Sequence, residues 1–283
     1  MNITGWMAER WRNLNNVTVG TDTYWWISLS NAAFYEDMKG VVTRYSRGRT
    51  LDIGAGRLAW RKLLHRHVTS YISGDIVVWH EDLDLAFDAT GELPFPDETF
   101  DTIFCCSVLE HDPEPWDALF EMHRILAPRG RLLISVPFLL HLHDEPHDYH
   151  RFTRYGLECL AARSGFTVHE TIENGSLFHF LLNPVSIVCS LVWSALHMLF
   201  LINPTTRCLL AVARQLDRLV GARRIYASNI IAVLEKEPTA NHGWAESLRD
   251  GLPGSHYPGA FGTDASLTFN GDGAGASVSI AGP

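Results

Sequence analysis

The 283-residue sequence predicts an α/β fold, a doubly wound and mostly parallel sheet, on three observations. From residue 49 onward, short apolar and β-branched runs alternate with stretches of helical periodicity, the pattern of strand–helix–strand units. A glycine turn, Gly54-Ala55-Gly56, closes the first of those runs. Apolar residues make up 46% of the chain and charged residues 19%, enough apolar surface for a large core and too much for global disorder.

Taken in order, residues 1–30 are an aromatic N-terminal segment, polar with five large aromatics, Trp6, Trp11, Tyr24, Trp25 and Trp26. Glu9, Arg10 and Arg12 interrupt any apolar run there, so no signal peptide is expected. Phe34, Met38, Val41, Val42 and Tyr45 share one face of a helix over 31–46, which Ser30 or Asn31 caps. Strands follow at 49–53, 70–77, 100–108, 130–138, 166–172 and 229–235. Helices are expected at 55–66, 115–126 and 153–163. Ligands of such sheets bind outside the carboxyl ends of the strands.

Two segments break the rhythm. Residues 174–206 hold no charged side chain, and 185–202 are nearly all apolar between Asn183-Pro184 and Asn203-Pro204. The arginines at 207, 214, 218, 223 and 224 follow, against Asp217 alone. About eighteen residues make about 27 Å of helix, close to the thickness of a bilayer core. The strand at 229–235 must nevertheless return to the sheet. The insert at 174–226 is therefore a hairpin dipping into one leaflet, an interfacial helix with its arginines at anionic headgroups, or an apolar cap or dimer surface. The Asn-Pro pairs would be hinges or helix starts. Residues 238–283, rich in Gly, Ser, Ala and Asp, form a flexible low-complexity tail.

A net charge of −9 argues against nucleic acid as a partner. The five cysteines, at 105, 106, 159, 189 and 208, show no CxxC spacing and sit among apolar neighbours. They read as reduced thiols of a cytoplasmic protein, not disulfides or zinc ligands.

The glycine turn sharpens the function. With Ala59 it formally reads G-x-G-x-x-A, and Asp75 follows about twenty residues on, so a dinucleotide enzyme is one reading. Asp52 argues otherwise, because an acid at that strand end would repel a pyrophosphate. S-adenosylmethionine has no phosphate and carries an ammonium and a sulfonium, which an acid favours. The run Leu51-Asp52-Ile53-Gly54-Ala55-Gly56 thus resembles the first motif of the class I S-adenosylmethionine-dependent methyltransferases, with Leu58 at the usual third glycine.

Further motifs of that family follow in its order. Gly74-Asp75-Ile76 resembles the strand end whose acid accepts both ribose hydroxyls, and two carboxylate oxygens suit that task. Phe87-Asp88-Ala89-Thr90 is similar to the segment that reads the adenine edge. Ser107-Val108-Leu109-Glu110-His111 resembles the segment beside the methionine part, and Arg124 to Arg131 the turn into the next strand. The resemblance covers 49–138 and is nearest the methyltransferase type 11 group. It implies a Rossmann-like sheet of seven strands, S-adenosylmethionine as cofactor, and Asp52, Gly54, Ala55, Gly56, Asp75, Ile76, Asp88, Ala89 and Ser107 as cofactor-binding residues.

Four histidines, 141, 143, 147 and 150, fall in the loop after residue 138, over the carboxyl end of the sheet. One reading is a general base, a histidine paired with a carboxylate, with His147 and Asp148 as candidates. A second is a metal site, but no H-x-x-x-H or H-E-x-x-H spacing is clean and no metal is expected. A third is a polar loop ordered on the next helix, with Thr153 as its cap. By resemblance, Pro146, Asp148, Tyr149, Arg151, Phe152 and Thr153 match a segment that relatives carry here. His111 is a separate catalytic candidate near the methyl group by homology.

The expectation is a methyltransferase with its domain over 31–237, acting on a small-molecule, lipid or lipid-linked glycan acceptor. A peripheral membrane contact through 184–222, at the inner face of the membrane, and a homodimer are partner expectations. The competing classes are a non-catalytic cofactor-binding subunit, a nicotinamide oxidoreductase, and a membrane tether with a vestigial fold.

Overall fold

The computed structural model describes residues 3–221 and 226–237. The expected tail at 238–283 and the arginines at 223 and 224 lie outside them. The chain runs α1 (Ile3–Thr18), a 3-10 turn (Asp22–Trp26), α2 (Leu29–Tyr45), β1 (Arg49–Ile53), α3 (Arg61–Leu64), β2 (Ser70–Asp75), β3 (Leu85–Ala86) and β4 (Phe100–Cys106). It continues with α4 (Pro115–Ile125), β5 (Leu126–Pro137), α5 (Arg154–Arg163), β6 (Phe166–Asn174), α6 (Leu177–Ala195), α7 (Ile202–Val220) and β7 (Asn229–Lys236).

The seven strands form one sheet in the order β3-β2-β1-β4-β5-β7-β6. β1, β2, β3, β4 and β5 pair in parallel, and β7 lies antiparallel between β5 and β6. The order reverses between β1 and β4, and such a switch point opens a crevice at the carboxyl ends. Leu51, Ile53, Ile103, Leu132 and Ile134 face α4 and α5 on one side of the sheet. Phe104, Leu133, Ile231 and Val233 face Met38, Val41 and Val42 of α2 and the Trp60–Leu64 turn on the other. Both faces are covered, which is why the strands read as nearly continuous apolar runs.

One expectation needs correction, and two elements left no signal in the sequence. The N-terminal segment holds a helix, α1, whose Leu14 is buried with Ile27 and Ile202. Its polar composition hid that one-sided burial. The helix expected over 55–66 is reduced to α3, because the chain first turns through left-handed residues at Gly56 (φ 53°) and Leu58 (φ 60°). A leucine there carries the strain that a glycine would relieve. The two-residue strand β3 was too short to leave a pattern.

The apolar insert is an antiparallel helical hairpin. Ser176, just before α6, bonds Asp217 near the end of α7, and Trp193 Nε1 donates to Thr205 Oγ1 at the other end (3.1 Å). Pro184 lies inside α6, and Asn183 and Ser186 beside it serve α2. The amide of Leu29 donates to Ser186 Oγ (2.9 Å) and that of Ser30 to Asn183 Oδ1 (3.0 Å). Side chains of α6 thus satisfy the free amides of another helix's first turn. Pro204 falls in the first turn of α7, as a helix start should. Two of the exposed arginines of α7 meet partners on the protein. Arg207 stacks over Trp26 at 4.1 Å, and Arg214 pairs with Glu36 of α2.

Candidate active site

A cleft opens at the carboxyl ends of β1, β2 and β4. It is lined by Ile53 and Gly54, Asp75 and Ile76, Phe87 to Thr90, Val108, Leu109, His111 and Asp112, with Ala118 and Met122 of α4 behind. The turn after β1 is held by its own backbone: the amides of Gly54 and Ala55 both donate to Gly74 O (2.9 and 3.1 Å). A Cβ on Gly54 would lie 2.2 Å from Val108 Cγ2, so only glycine fits that approach.

Asp75 ends β2 and points into this turn. Its Oδ2 accepts from the Gly56 amide (2.8 Å) and its Oδ1 from the Val77 amide (3.1 Å). Each oxygen keeps a second lone pair for a ligand hydroxyl. Asp88 accepts from both the amide and the hydroxyl of Thr90 (2.9 and 2.8 Å), which shapes the loop beside Ala89. Asp112 is buried, with Oδ2 lacking any hydrogen-bond partner, and burial raises its pKa.

Asp52 does not line the cleft. Its carboxyl is buried on the other face of β1, where Oδ2 accepts from Tyr71 Oη (2.7 Å). Burial pushes its pKa up to about 7. The direct electrostatic contact expected of it is replaced by a role inside the strand pair. Ala55, Gly56 and Ser107 border the cleft without lining it. Ser107 is exposed, at φ 56°, its amide bound to Ser135 O (3.0 Å).

The histidine loop folds back onto the turn after β4. The amides of Tyr149 and His150 both donate to the Glu110 carbonyl (2.9 and 3.1 Å). Arg151 grips Asp148 through two hydrogen bonds (2.5 and 2.6 Å) and donates to His141 O (3.0 Å). Those contacts hold the Asp148 carboxyl well below the usual range. Thr153 caps α5 by accepting from the Gly156 amide (3.1 Å), as expected.

The expected His147–Asp148 pair is not formed. The exposed ring of His147 faces Tyr149 Oη (3.2 Å), while its carbonyl accepts from His111 Nδ1 (2.6 Å). A carbonyl only accepts, so the His111 proton sits on Nδ1 and Nε2 carries the free lone pair. The histidine beside Asp148 is His143, with Nδ1 at 3.4 Å from Oδ2 and its own amide donating to the same carboxylate (2.9 Å). The rings of His111 and His143 meet edge to face at 5.0 Å. Glu110 lies fully buried beneath both, its Oε1 at 3.9 Å from His111 Nε2 and 3.8 Å from His143 Nε2.

A methyltransferase domain family matches residues 51–134, the stretch that carries the glycine turn, Asp75, Asp88 and the Glu110-His111 turn. Residues 51–134 thus form a methyltransferase domain of the type 11 group. A 49-residue stretch is 41% identical to the 27-O-demethylrifamycin SV methyltransferase of Amycolatopsis mediterranei (strain S699), covering 17% of this chain and 18% of that protein's length. Among solved structures, the [4+2]-cyclase SpnF aligns with a TM-score of 0.50 at 17% identity over 74% of this chain and 82% of that one. A sarcosine dimethylglycine methyltransferase of Galdieria sulphuraria aligns with a TM-score of 0.45 at 20% identity, over 74% and 84%. The first of these shows the shared fold, and its own reaction is a reminder that the fold alone does not choose the chemistry.

The cofactor such a methyltransferase domain implies is S-adenosylmethionine, and the residues present fit it. The Gly54–Gly56 turn leaves open space above Gly56, Asp75 keeps spare acceptor capacity at the mouth, and the orphaned Asp112 oxygen calls for a donor or a cation. Sequence reasoning missed Glu110 and His143. Glu110 read as part of a motif, and nothing in a linear pattern places residue 143 over residue 110.

Proposed function

We propose that this protein methylates an oxygen of an acceptor that bears an apolar chain, a lipid or a lipid-linked glycan, and that Asp75, Asp88, Ala89 and the Gly54–Gly56 turn hold the cofactor. The supporting observation is a second cavity of about 690 Å3 beside the histidine loop. Phe138, Leu139, Leu140 and His141 form one wall, and Phe180, Leu181, Pro184, Ile187 and Val188 of α6 form the other. An apolar groove that ends at a polar, histidine-rich loop suits a chain with a hydroxyl head.

S-adenosylmethionine supplies a methyl group already activated on a sulfonium. The protein's share is alignment, exclusion of water and acceptance of the acceptor's proton. Of the three catalytic candidates, His111 alone lines the cleft, with its Nε2 lone pair free. It is the group we assign to the acceptor hydroxyl. His147 serves through its carbonyl, which orients His111. Asp148 serves by locking Arg151 and His143.

The α6 face that flanks the groove supports delivery from a membrane surface. Leu181, Val185, Val188, Val192 and Leu196 form an exposed apolar stripe along it. Leu177–Ala195 is long and apolar enough to cross a membrane by length and composition. Its other face packs on α2 and α7, so an interfacial seat accounts better for it than a span. The test incubates the protein with methyl-tritiated S-adenosylmethionine and either a chloroform-soluble lipid extract or the polar metabolite pool of the same cells. Label entering the lipid fraction is expected. Label confined to the polar pool would overturn the acceptor class.

A further inference from the structure

We infer that Glu110, His111 and His143 form a binding site for a divalent transition metal ion at the rim of the methyl-transfer cleft. One carboxylate oxygen and one ring nitrogen of each histidine lie within 4.8 Å of one another. Two imidazoles and one carboxylate are the donor set of zinc sites that keep an open position.

The surroundings of these three side chains carry the inference further than their proximity. Glu110 is fully buried, and neither of its carboxylate oxygens has a hydrogen-bond partner. A buried anion in that state costs several kcal/mol unless a cation meets it. No arginine or lysine is hydrogen-bonded to it among the described residues; what faces it are two histidine nitrogens at distances too long for hydrogen bonds.

Each histidine is also oriented as a ligand would be. A metal-bound imidazole usually donates its other ring N–H to a carbonyl or carboxylate, which fixes the tautomer. His111 Nδ1 donates to the His147 carbonyl (2.6 Å). His143 Nδ1 has the His141 carbonyl at 3.3 Å and Asp148 Oδ2 at 3.4 Å, with Arg151 Nη2 the more distant neighbour at 3.5 Å. Both Nε2 lone pairs are left to converge on Glu110. Zinc bonds of about 2.1 Å put tetrahedral donors about 3.4 Å apart. The two histidine–glutamate separations, 3.9 and 3.8 Å, exceed that by a few tenths of an ångström, which side-chain torsion closes. Asp144 Oδ2, exposed at 4.0 Å from His111 Nε2, stands ready as a further donor.

An ion here would leave a coordination position toward the cleft. A hydroxyl bound there ionises more readily. It would then meet the acceptor in place of the His111 lone pair. The binding itself does not depend on the methyl-transfer reading.

The test is a calorimetric titration of the full chain, stripped with chelator and desalted, with zinc chloride alone. The wild type should bind one equivalent with micromolar or tighter affinity. Glu110→Gln and His143→Ala, each checked for native circular dichroism, should lose at least about 100-fold. Cobalt(II) should give visible absorption bands in the wild type that both variants lack. Absence of saturable binding, or one equivalent bound equally by the variants, would overturn the site. Several weak equivalents unaffected by either substitution would mean surface histidines only, and would overturn it too. S-adenosylhomocysteine titrated into the same samples reports the methyltransferase reading separately.

Discussion

The cleft and the groove beside it, which we assign to cofactor and acceptor as two halves of one site, are built by different means. The cofactor half is made of backbone: a turn whose amides bind the neighbouring strand, one carboxylate at the end of β2, and the Phe87 to Thr90 loop. Its parts lie close in sequence, and each spacing has a physical reason. The proposed acceptor half is assembled from distant pieces. The turn at Glu110, the loop from Leu139 to Arg151 and the apolar face of α6 meet only in the folded chain. A fold that keeps the first half constant can change its acceptor by changing the second.

If the acceptor half works through His111, truncating that ring should cut turnover by about 10²- to 10⁴-fold while leaving cofactor affinity within a few-fold. His111→Ala assayed for both quantities checks this; a parallel loss of cofactor binding would merge the two halves into one.

A second test concerns Asp52, which belongs to the frame of the cofactor half and not to its surface. Its carboxyl, at about 7 in the fold against 3.8 outside it, binds a proton more readily when folded. Stability should therefore fall as pH rises from about 4 to about 7, and level off above. The linked free energy is on the order of 4 kcal/mol at most. Denaturant unfolding of Asp52→Asn across that range should show the slope flattened. An unchanged slope would place the titration elsewhere.

The groove predicts a smaller effect, seen only with long acceptors. Ile187→Asp should raise KM about tenfold for a long-chain acceptor and leave a truncated one unaffected. Equal effects on both would point to a general disturbance of α6. The smallest change is expected at His147, whose contribution is its carbonyl. His147→Ala should alter turnover by less than about threefold, whereas a large loss would restore its ring to the chemistry.

What the sequence made legible follows the same division. The strands β1, β2 and β4 and the cleft residues Gly54, Asp75, Ile76, Asp88 and Ala89 could be read because turn chemistry and strand period act locally. Asp52 was misread because its position in the motif says nothing about which face of β1 it uses; the alternation with Leu51 and Ile53, both on the α4 side, held that information. The histidine pairing was misread because adjacency in sequence, His147 beside Asp148, suggested a contact that the loop's curvature gives to His143. The hairpin of α6 and α7 was legible as apolar and helical. The contacts of Arg207 and Arg214 were not, because their partners Trp26 and Glu36 lie far away in the chain.

The most direct measurement is a calorimetric titration of S-adenosylhomocysteine into the wild type and into Asp75→Ala, with NAD as control. Micromolar binding to the wild type, weakened about 100-fold or more in the variant and absent for NAD, is the predicted result. Equal affinity in the two proteins, or binding of NAD, would contradict the assignment of the cleft.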